Sequence, residues 1–166
     1  KAALDMQRAA GRILSRQGFF RYEISNYALP GFKSQHNQIY WQNRWYLGLG
    51  VAAYSYWEGR RWGNTENLKD YSERLADGKL PEATAEVLDV KGQLSETIML
   101  GLRLKAGVSL SKLKARFGLS VWDEWEEEIN CLLAQGLLRL SHGRLQLTHR
   151  GLLLANQVQS AFLGSS

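Results

Sequence analysis

The chain has 166 residues, a formal net charge of +5 and 45% hydrophobic residues, which is typical of one globular domain or two small ones. No apolar run approaches the roughly 20 residues of a membrane-spanning helix, and no signal peptide is recognisable. The single cysteine, Cys131, excludes an intrachain disulfide framework and is too few for an iron–sulfur cluster. Its apolar surroundings predict a buried thiol.

The first part of the chain mixes helical and strand patterns. The predicted elements are, in chain order, a helix that ends near Gly18, an alternating strand over 20–25, an irregular stretch over 26–45, a strand over 47–57, a hairpin turn at 58–60 and a helix over 65–76.

From residue 91 onward the chain is rich in leucine with helical spacing. The predicted elements are a helix through Leu94 and Leu102, a helix from Ser109 to Gly118, a helix from Ser120 to Gly136, a β-hairpin around 141–144 and a last helix capped by Thr148. Three helices, a hairpin and a further helix form a winged-helix-like pattern.

A winged helix raises the question of DNA binding. The helix at 121–135 would enter the major groove, yet it carries five acidic residues and no basic one, so phosphates would repel it. The basic residues of the preceding helix and of the wing are best interpreted as a solvated face. We therefore predict no nucleic-acid partner, and we keep a winged-helix interaction module as an alternative.

The most unusual residues lie between 22 and 55. His36, Asn37, Tyr40 and Trp41 group an imidazole, an amide and two aromatic rings. Histidine is a common haem ligand and flat rings can flank a flat ligand. On the residues alone, a purely structural role is favoured over ligand binding: the two aromatic rings would anchor the segment in the core, and His36 would hydrogen-bond the backbone.

Two further features leave alternatives open. The segment 48–50, Gly-Leu-Gly, lacks the remaining residues of a dinucleotide or phosphate loop, but its small residues permit close approach by a ligand or a neighbouring element. Glu23 either lines a ligand cavity or pairs with Arg21 or another nearby cation. His142 and His149 are interpreted as surface histidines.

In combination, the motifs YEISNYA, PG, HNxxYW and GLGxxAxS resemble the oxygen-independent coproporphyrinogen III oxidase-like radical SAM proteins, the HemN/HemW family. The complete HNxxYW motif is most similar to the haem-chaperone branch. The resemblance implies an α+β (α/β) fold. Residues 1–78 would be the terminal strands and helix of a partial radical SAM β/α barrel with the HNxxYW loop, 79–90 a linker, and 91–166 a mostly helical, winged-helix-like HemN C-terminal domain.

The resemblance also implies cofactors. The intact protein would hold S-adenosylmethionine and a 4Fe–4S cluster on a CxxxCxxC motif, which this chain lacks, so we expect no catalytic activity from the chain alone. The implied haem contacts are His36, Asn37, Tyr40 and Trp41, with His36 on the iron and no other metal site. The implied neighbours of S-adenosylmethionine are Asn26, Tyr27, Ala28, Gly50 and Tyr54. The sequence departs from the branch at Tyr54 and at Ala52, where glycine is common.

The implied partners are haem or a porphyrin and haem-dependent membrane proteins, in the cytoplasm or associated with a membrane. An incomplete barrel exposes strand edges, which predicts a dimer or swapped oligomer. The alternative activity is that of a coproporphyrinogen III oxidase, which decarboxylates propionates by a radical mechanism in porphyrin biosynthesis.

Overall fold

A computed structural model describes residues 2–163, which contain helices in both halves and three small antiparallel sheets. The helices are α1 (Ala2–Arg16), α2 (Gln35–Trp41), α3 (Leu68–Ala76), α4 (Val90–Gly101), α5 (Leu110–Phe117), α6 (Val121–Ala134), α7 (His149–Leu153) and α8 (Ala155–Ser160). The strands are β1 (Phe20–Arg21), β2 (Tyr27–Ala28), β3 (Tyr54–Trp57), β4 (Arg60–Asn64), β5 (Glu82–Val87), β6 (Val108–Ser109), β7 (Leu138–Ser141) and β8 (Arg144–Leu147).

The first half combines α1 with two of the sheets. Strand β1 pairs antiparallel with β2, with Phe20 opposite Ala28. The second sheet has the order β3-β4-β5, and Tyr54 lies opposite Gly63. Across the described residues these strands do not close a barrel.

The second half contains the main hydrophobic core. Helices α4, α5 and α6 and the strand order β6-β8-β7 surround it. Fully buried side chains at its centre are Leu94, Ile98, Leu102, Ile129, Leu145, Val158 and Phe162. The helices and the hairpin predicted for this half are confirmed, and the last predicted helix is divided into α7 and α8.

Local signals explain why these predictions succeed. The wing turn places His142 and Gly143 at φ values of 50° and 68°, as a tight two-residue hairpin requires. The Thr148 hydroxyl accepts a hydrogen bond from the Gly151 amide at 2.9 Å, which caps α7. Cys131 is exposed on α6, so the prediction of a buried thiol was wrong: it occupies the solvent side of an amphipathic helix.

The segment 26–45 is not irregular as predicted. It contains β2 and α2, and the HNxxYW motif therefore lies on a helix instead of in a loop. The Ser34 hydroxyl accepts a hydrogen bond from the Asn37 amide at 3.2 Å. This N-cap allows the helix to begin within a stretch of polar residues. The motif has no buried residue within α2, so the apolar spacing that reveals longer helices is absent there.

Two other boundaries differ from the prediction. The strand predicted over 47–57 is reduced to β3, because the chain turns before it. A Cβ at Gly48 would overlap the carbonyl oxygen of Tyr54, and Ala52 has a φ of 57°. The segment 79–90, predicted as a linker, contains β5, which forms the edge of the second sheet. The division into domains at these residues stays a prediction.

We expect Ala52→Gly to raise the free energy of unfolding by about 1 kcal/mol, because a Cβ is disfavoured at a left-handed φ and glycine is not. Chemical denaturation would measure the change. The matched control is Ala53→Gly, at a neighbouring residue outside the left-handed region, where added backbone freedom should lower stability. An equal effect at both positions would contradict this account.

Candidate functional site

Helix α2 carries the residues predicted to contact haem, and the structure divides them between two faces. His36 is exposed, and its ring meets Tyr40 edge-on at 4.7 Å between centroids. Tyr40 in turn contacts Tyr46 at 4.5 Å. Because residues four apart share one helix face, His36 and Tyr40 form an outward aromatic group with an accessible imidazole.

Trp41 lies on the other face of α2. The Arg103 guanidinium stands over its indole at 4.3 Å, and the indole Nε1 is buried without a hydrogen-bond partner among the described residues. Asn37 contributes its backbone amide to the helix cap. The structure therefore brings His36 and Tyr40 together but places Trp41 apart from them.

Asn43 fixes the end of this helix, and sequence reasoning missed it. It is 1% exposed and has a φ of 46°. Its Nδ2 donates to Thr97 Oγ1 at 3.0 Å and to Glu96 Oε2 at 3.1 Å, both on α4. Arg61 of β4 donates to the other oxygen of Glu96 at 2.5 Å. Arg116 of α5 donates to the Asn43 carbonyl at 2.7 Å. Asn43, Glu96 and the two arginines thus join α2, α4, α5 and β4.

Burial and hydrogen bonding shift the pKa values of several side chains in this region. Desolvation lowers the pKa of Arg116 below its usual value, while the hydrogen bond that Arg61 donates to Glu96 raises the pKa of Arg61. Tyr56 is fully buried, and its hydroxyl has no hydrogen-bond partner among the described residues. Loss of hydration therefore raises the pKa of this phenol above its ordinary value near 10.

Glu23 pairs with a cation from the second half. Its Oε1 accepts a hydrogen bond from the Ser25 amide at 2.8 Å, and its Oε2 lies 4.0 Å from an Arg103 nitrogen. Arg21, the other candidate, instead donates to the Tyr27 hydroxyl at 3.0 Å. Of the alternatives for Glu23, the structure shows an ion pair with Arg103 at a distance too long for a hydrogen bond, and Glu23 Oε2 and Arg103 Nε are both buried without a hydrogen-bond partner among the described residues. Arg103 in turn stacks over the Trp41 ring.

The residues predicted to adjoin S-adenosylmethionine lie on or just before strands of two different sheets. Asn26, Tyr27 and Ala28 belong to β2 and its turn. The Tyr27 side chain packs so closely against Gly11 of α1 that a Cβ on that glycine would contact it. Gly50 precedes β3, and Tyr54 begins it.

The Gly50 turn is held by polar contacts. The Gly50 amide donates to the Tyr71 hydroxyl at 3.1 Å, and the Gly50 carbonyl accepts from Asn64 Nδ2 at 2.8 Å. Tyr54 is 52% exposed, with its ring over Gly63. The small residues of this segment are therefore used for close packing within the chain.

A cleft of about 780 Å³ opens beside Trp41, between the first half and the second. Its walls come from β1, α2, α5, the β7–β8 wing and the turn before β6. Trp41 and Gln38 face it from α2, whereas His36 and Tyr40 are not among its lining residues.

The other histidines lie apart from this region. His142 is within 2.9 Å of the Ser141 hydroxyl in the wing turn, and His149 begins α7; both are exposed. Across residues 2–163, His, Cys, Asp and Glu side chains nowhere gather in the threes that would hold a metal ion. In the same range every helix is too short or too polar to cross a bilayer.

Comparisons with known proteins agree with the motifs. Residues 88–154 match the HemN C-terminal domain. The heme chaperone HemW of Bacillus subtilis is 36% identical over 91% of this chain, and that of Lactococcus lactis is 37% identical over 96%. The chain belongs to the HemN/HemW family. It spans about 40% of the length of these relatives.

A solved HemN structure shows the same fold. The coproporphyrinogen III oxidase (HemN) of Escherichia coli, described as a radical SAM enzyme, matches 96% of this chain and 40% of its own with a TM-score of 0.75. The two sequences are 20% identical, so this likeness supports the fold. The predicted family and fold class are thereby confirmed for this HemN/HemW-family chain.

We expect Asn43→Ala to lower the free energy of unfolding by about 3 kcal/mol. The change removes buried hydrogen bonds. It also leaves a left-handed φ occupied by alanine, which has a Cβ but no side-chain amide to offset the backbone cost. Asn43→Gly should cost less, about 2 kcal/mol, because glycine tolerates that φ. Denaturant unfolding would measure both. Asn130→Ala, at an exposed position of α6, serves as control; equal losses at 43 and 130 would contradict the assignment.

The buried Tyr56 phenol predicts alkaline destabilisation. Its pKa is raised in the folded state, so its contribution to stability is complete below the unfolded pKa near 10 and is lost as pH rises through the folded pKa. Urea midpoints measured between neutral and strongly alkaline pH should fall less steeply for Tyr56→Phe than for the unchanged chain. Identical slopes would show that Tyr56 does not contribute.

Proposed function

We propose that this chain is the haem-binding C-terminal part of a haem-chaperone-like radical SAM protein, and that His36 ligates the haem iron. The observation that carries the proposal is an exposed imidazole within a complete HNxxYW motif, on a chain 36–37% identical to proteins named heme chaperone HemW. A neutral imidazole nitrogen is an ordinary axial ligand of haem.

The local structure fits that role. Ser34 caps α2 and Asn43 anchors its other end, so the helix presents His36 from a fixed position. Tyr40 restricts the imidazole by edge-to-face contact and offers an aromatic surface to a flat macrocycle. In the proposal Asn37 and Trp41 complete the haem contacts, with Trp41 reaching the ligand from the cleft side of the helix.

The radical SAM cofactors belong to the intact protein in this proposal. Cys131 is the single cysteine and lies exposed on α6, so the chain's own residues do not fit a 4Fe–4S cluster, which needs several thiolates. Of the residues proposed near S-adenosylmethionine, Tyr27, Ala28 and Tyr54 lie on strands of two sheets, and Asn26 and Gly50 precede those strands. They would form one side of a site completed by residues outside this chain.

The proposal extends to the protein's partners. A chaperone of this kind would carry haem in the cytoplasm, associated in part with a membrane, to haem-dependent membrane proteins. The exposed edges of the first-half sheets would be covered by the remainder of the protein or, in the isolated chain, by a second copy.

We expect haem titration of this chain to give a saturable shift of the Soret band that His36→Ala abolishes, because the imidazole is the proposed axial ligand. His142→Ala is the matched control, since it removes an exposed histidine from the wing turn. Absorbance titration measures band position and affinity, and circular dichroism verifies that each variant is folded. An unchanged Soret band and affinity in folded His36→Ala would refute ligation by His36.

A further inference from the structure

Strand β5 forms one edge of the second sheet, and one side of its backbone has no paired strand among residues 2–163. The residues from Ala83 to Val87 are all exposed, and from Thr84 to Val87 the register with β4 is unbroken. Natural edge strands are often protected by proline or lysine, and residues 83–87 contain neither. A regular, exposed edge of this kind is a template for a further strand.

The alternation of the ladder assigns the free backbone groups to particular residues. The Leu88 amide donates to the Gly59 carbonyl at 3.0 Å, so the backbone groups of Leu88 face β4. Because the direction of these groups alternates along an antiparallel strand, those of Glu86 also face β4. The amides and carbonyls of Ala85 and Val87 therefore point away from the sheet. Across residues 2–163 no turn or loop bonds to them, and they are available to a partner strand.

The free edge runs into an acidic groove of about 750 Å³. The walls of this groove come from the end of β5, from α4 and from α6. Met99 and Leu163 add apolar surface to it, and Leu163 is 57% exposed. The carboxylates that line the groove are Glu86, Asp89, Glu96, Glu124 and Glu128.

Cations offset the charge of the groove only in part. Lys91 pairs with Glu124 at 2.8 Å, and Arg61 of β4 pairs with Glu96. Lys91 is the single basic residue that lines the groove. The groove therefore keeps a net negative charge in a chain whose overall charge is +5, and this field attracts cationic groups.

We propose that the β5 edge and the acidic groove bind an extended, basic segment of a partner protein. The segment adds a fourth strand to the sheet through the backbone groups of Ala85 and Val87. Its lysine or arginine side chains meet the carboxylates of the groove, and an apolar side chain packs on Met99 and Leu163. In this binding mode main-chain hydrogen bonds supply affinity, while complementary charge supplies specificity.

Charge selects this partner over other candidates. A second copy that docked through the same edge would place Glu86 and Asp89 of both chains along one seam, and like charges on adjacent strands are destabilising. The groove repels the phosphates of a membrane or a nucleic acid. His36 and Tyr40 do not line the groove, so this proposal can fail or succeed independently of haem binding.

Glu128 and Glu127 provide a matched pair of variants. Both are exposed on α6, but Glu128 lines the groove and Glu127 does not. The probe is a fluorescent peptide of about nine alternating lysine and valine residues, which extends to about 30 Å. Fluorescence anisotropy should show one saturable site that Glu128→Gln weakens about fivefold, as for an exposed ion pair. Glu127→Gln should retain the affinity of the unchanged chain.

Ala85→Pro tests the addition of a strand. Proline at this position removes an amide that points outward and leaves the ladder with β4 intact, so the folded variant should lose about tenfold in affinity. Circular dichroism verifies that the variants are folded. Amide hydrogen exchange followed by NMR needs no variant. Peptide binding should slow exchange at Ala85 and Val87 and leave exchange at Thr84, whose amide faces β4, unchanged.

Four results would overturn the proposal. The first is the absence of saturable peptide binding to the folded chain. The second is an equal loss of affinity in Glu128→Gln and Glu127→Gln, which would indicate general charge attraction. The third is protection of the Ala85 amide that rises with the concentration of the chain alone, which would assign the edge to a second copy. The fourth is a full-length protein that leaves the peptide unbound while this chain binds it, which would assign the edge to the remainder of the protein.

Discussion

The buried amide of Asn43 is the contact on which the arrangement of this chain depends. Asn43 ends α2 in a left-handed conformation. Its side-chain amide donates to Glu96 and Thr97 on α4, and its backbone carbonyl accepts from Arg116 on α5. Arg61 on β4 donates to the same Glu96 carboxylate. Buried polar groups are costly when any member lacks a partner. This network therefore favours one orientation of the first half against the second, and it sets the direction of each residue on α2.

That orientation gives α2 an outward face and a face toward the cleft. His36 and Tyr40 project outward, where the imidazole is accessible to the iron of a haem. Trp41 and Gln38 project into the basic cleft. A seven-residue helix has little stability alone, so the proposed haem contacts rely on the Ser34 cap and the Asn43 anchor to hold their side chains in place.

The cleft itself is a product of packing between the two halves. Phe20 and Arg21 reach it from β1, and Lys112 and Arg139 reach it from the second half. Trp41 lines it, and the Arg103 guanidinium stacks over the Trp41 ring. Its lining residues include eight that are basic and none that is acidic, so its electrostatic field attracts anions.

The sequence alone determined the elements whose signals are local. Leu94, Ile98 and Leu102 repeat at helical spacing, Thr148 caps a helix and Gly143 permits the wing turn, so short-range sterics and hydrogen bonds identify them. The motifs that carry the family resemblance were equally readable. Only the tertiary structure decided that Asn43 bonds to residues more than 50 positions away, that 79–90 supplies a strand and that distant cations share one cleft, because burial and Coulomb interactions depend on distances in space.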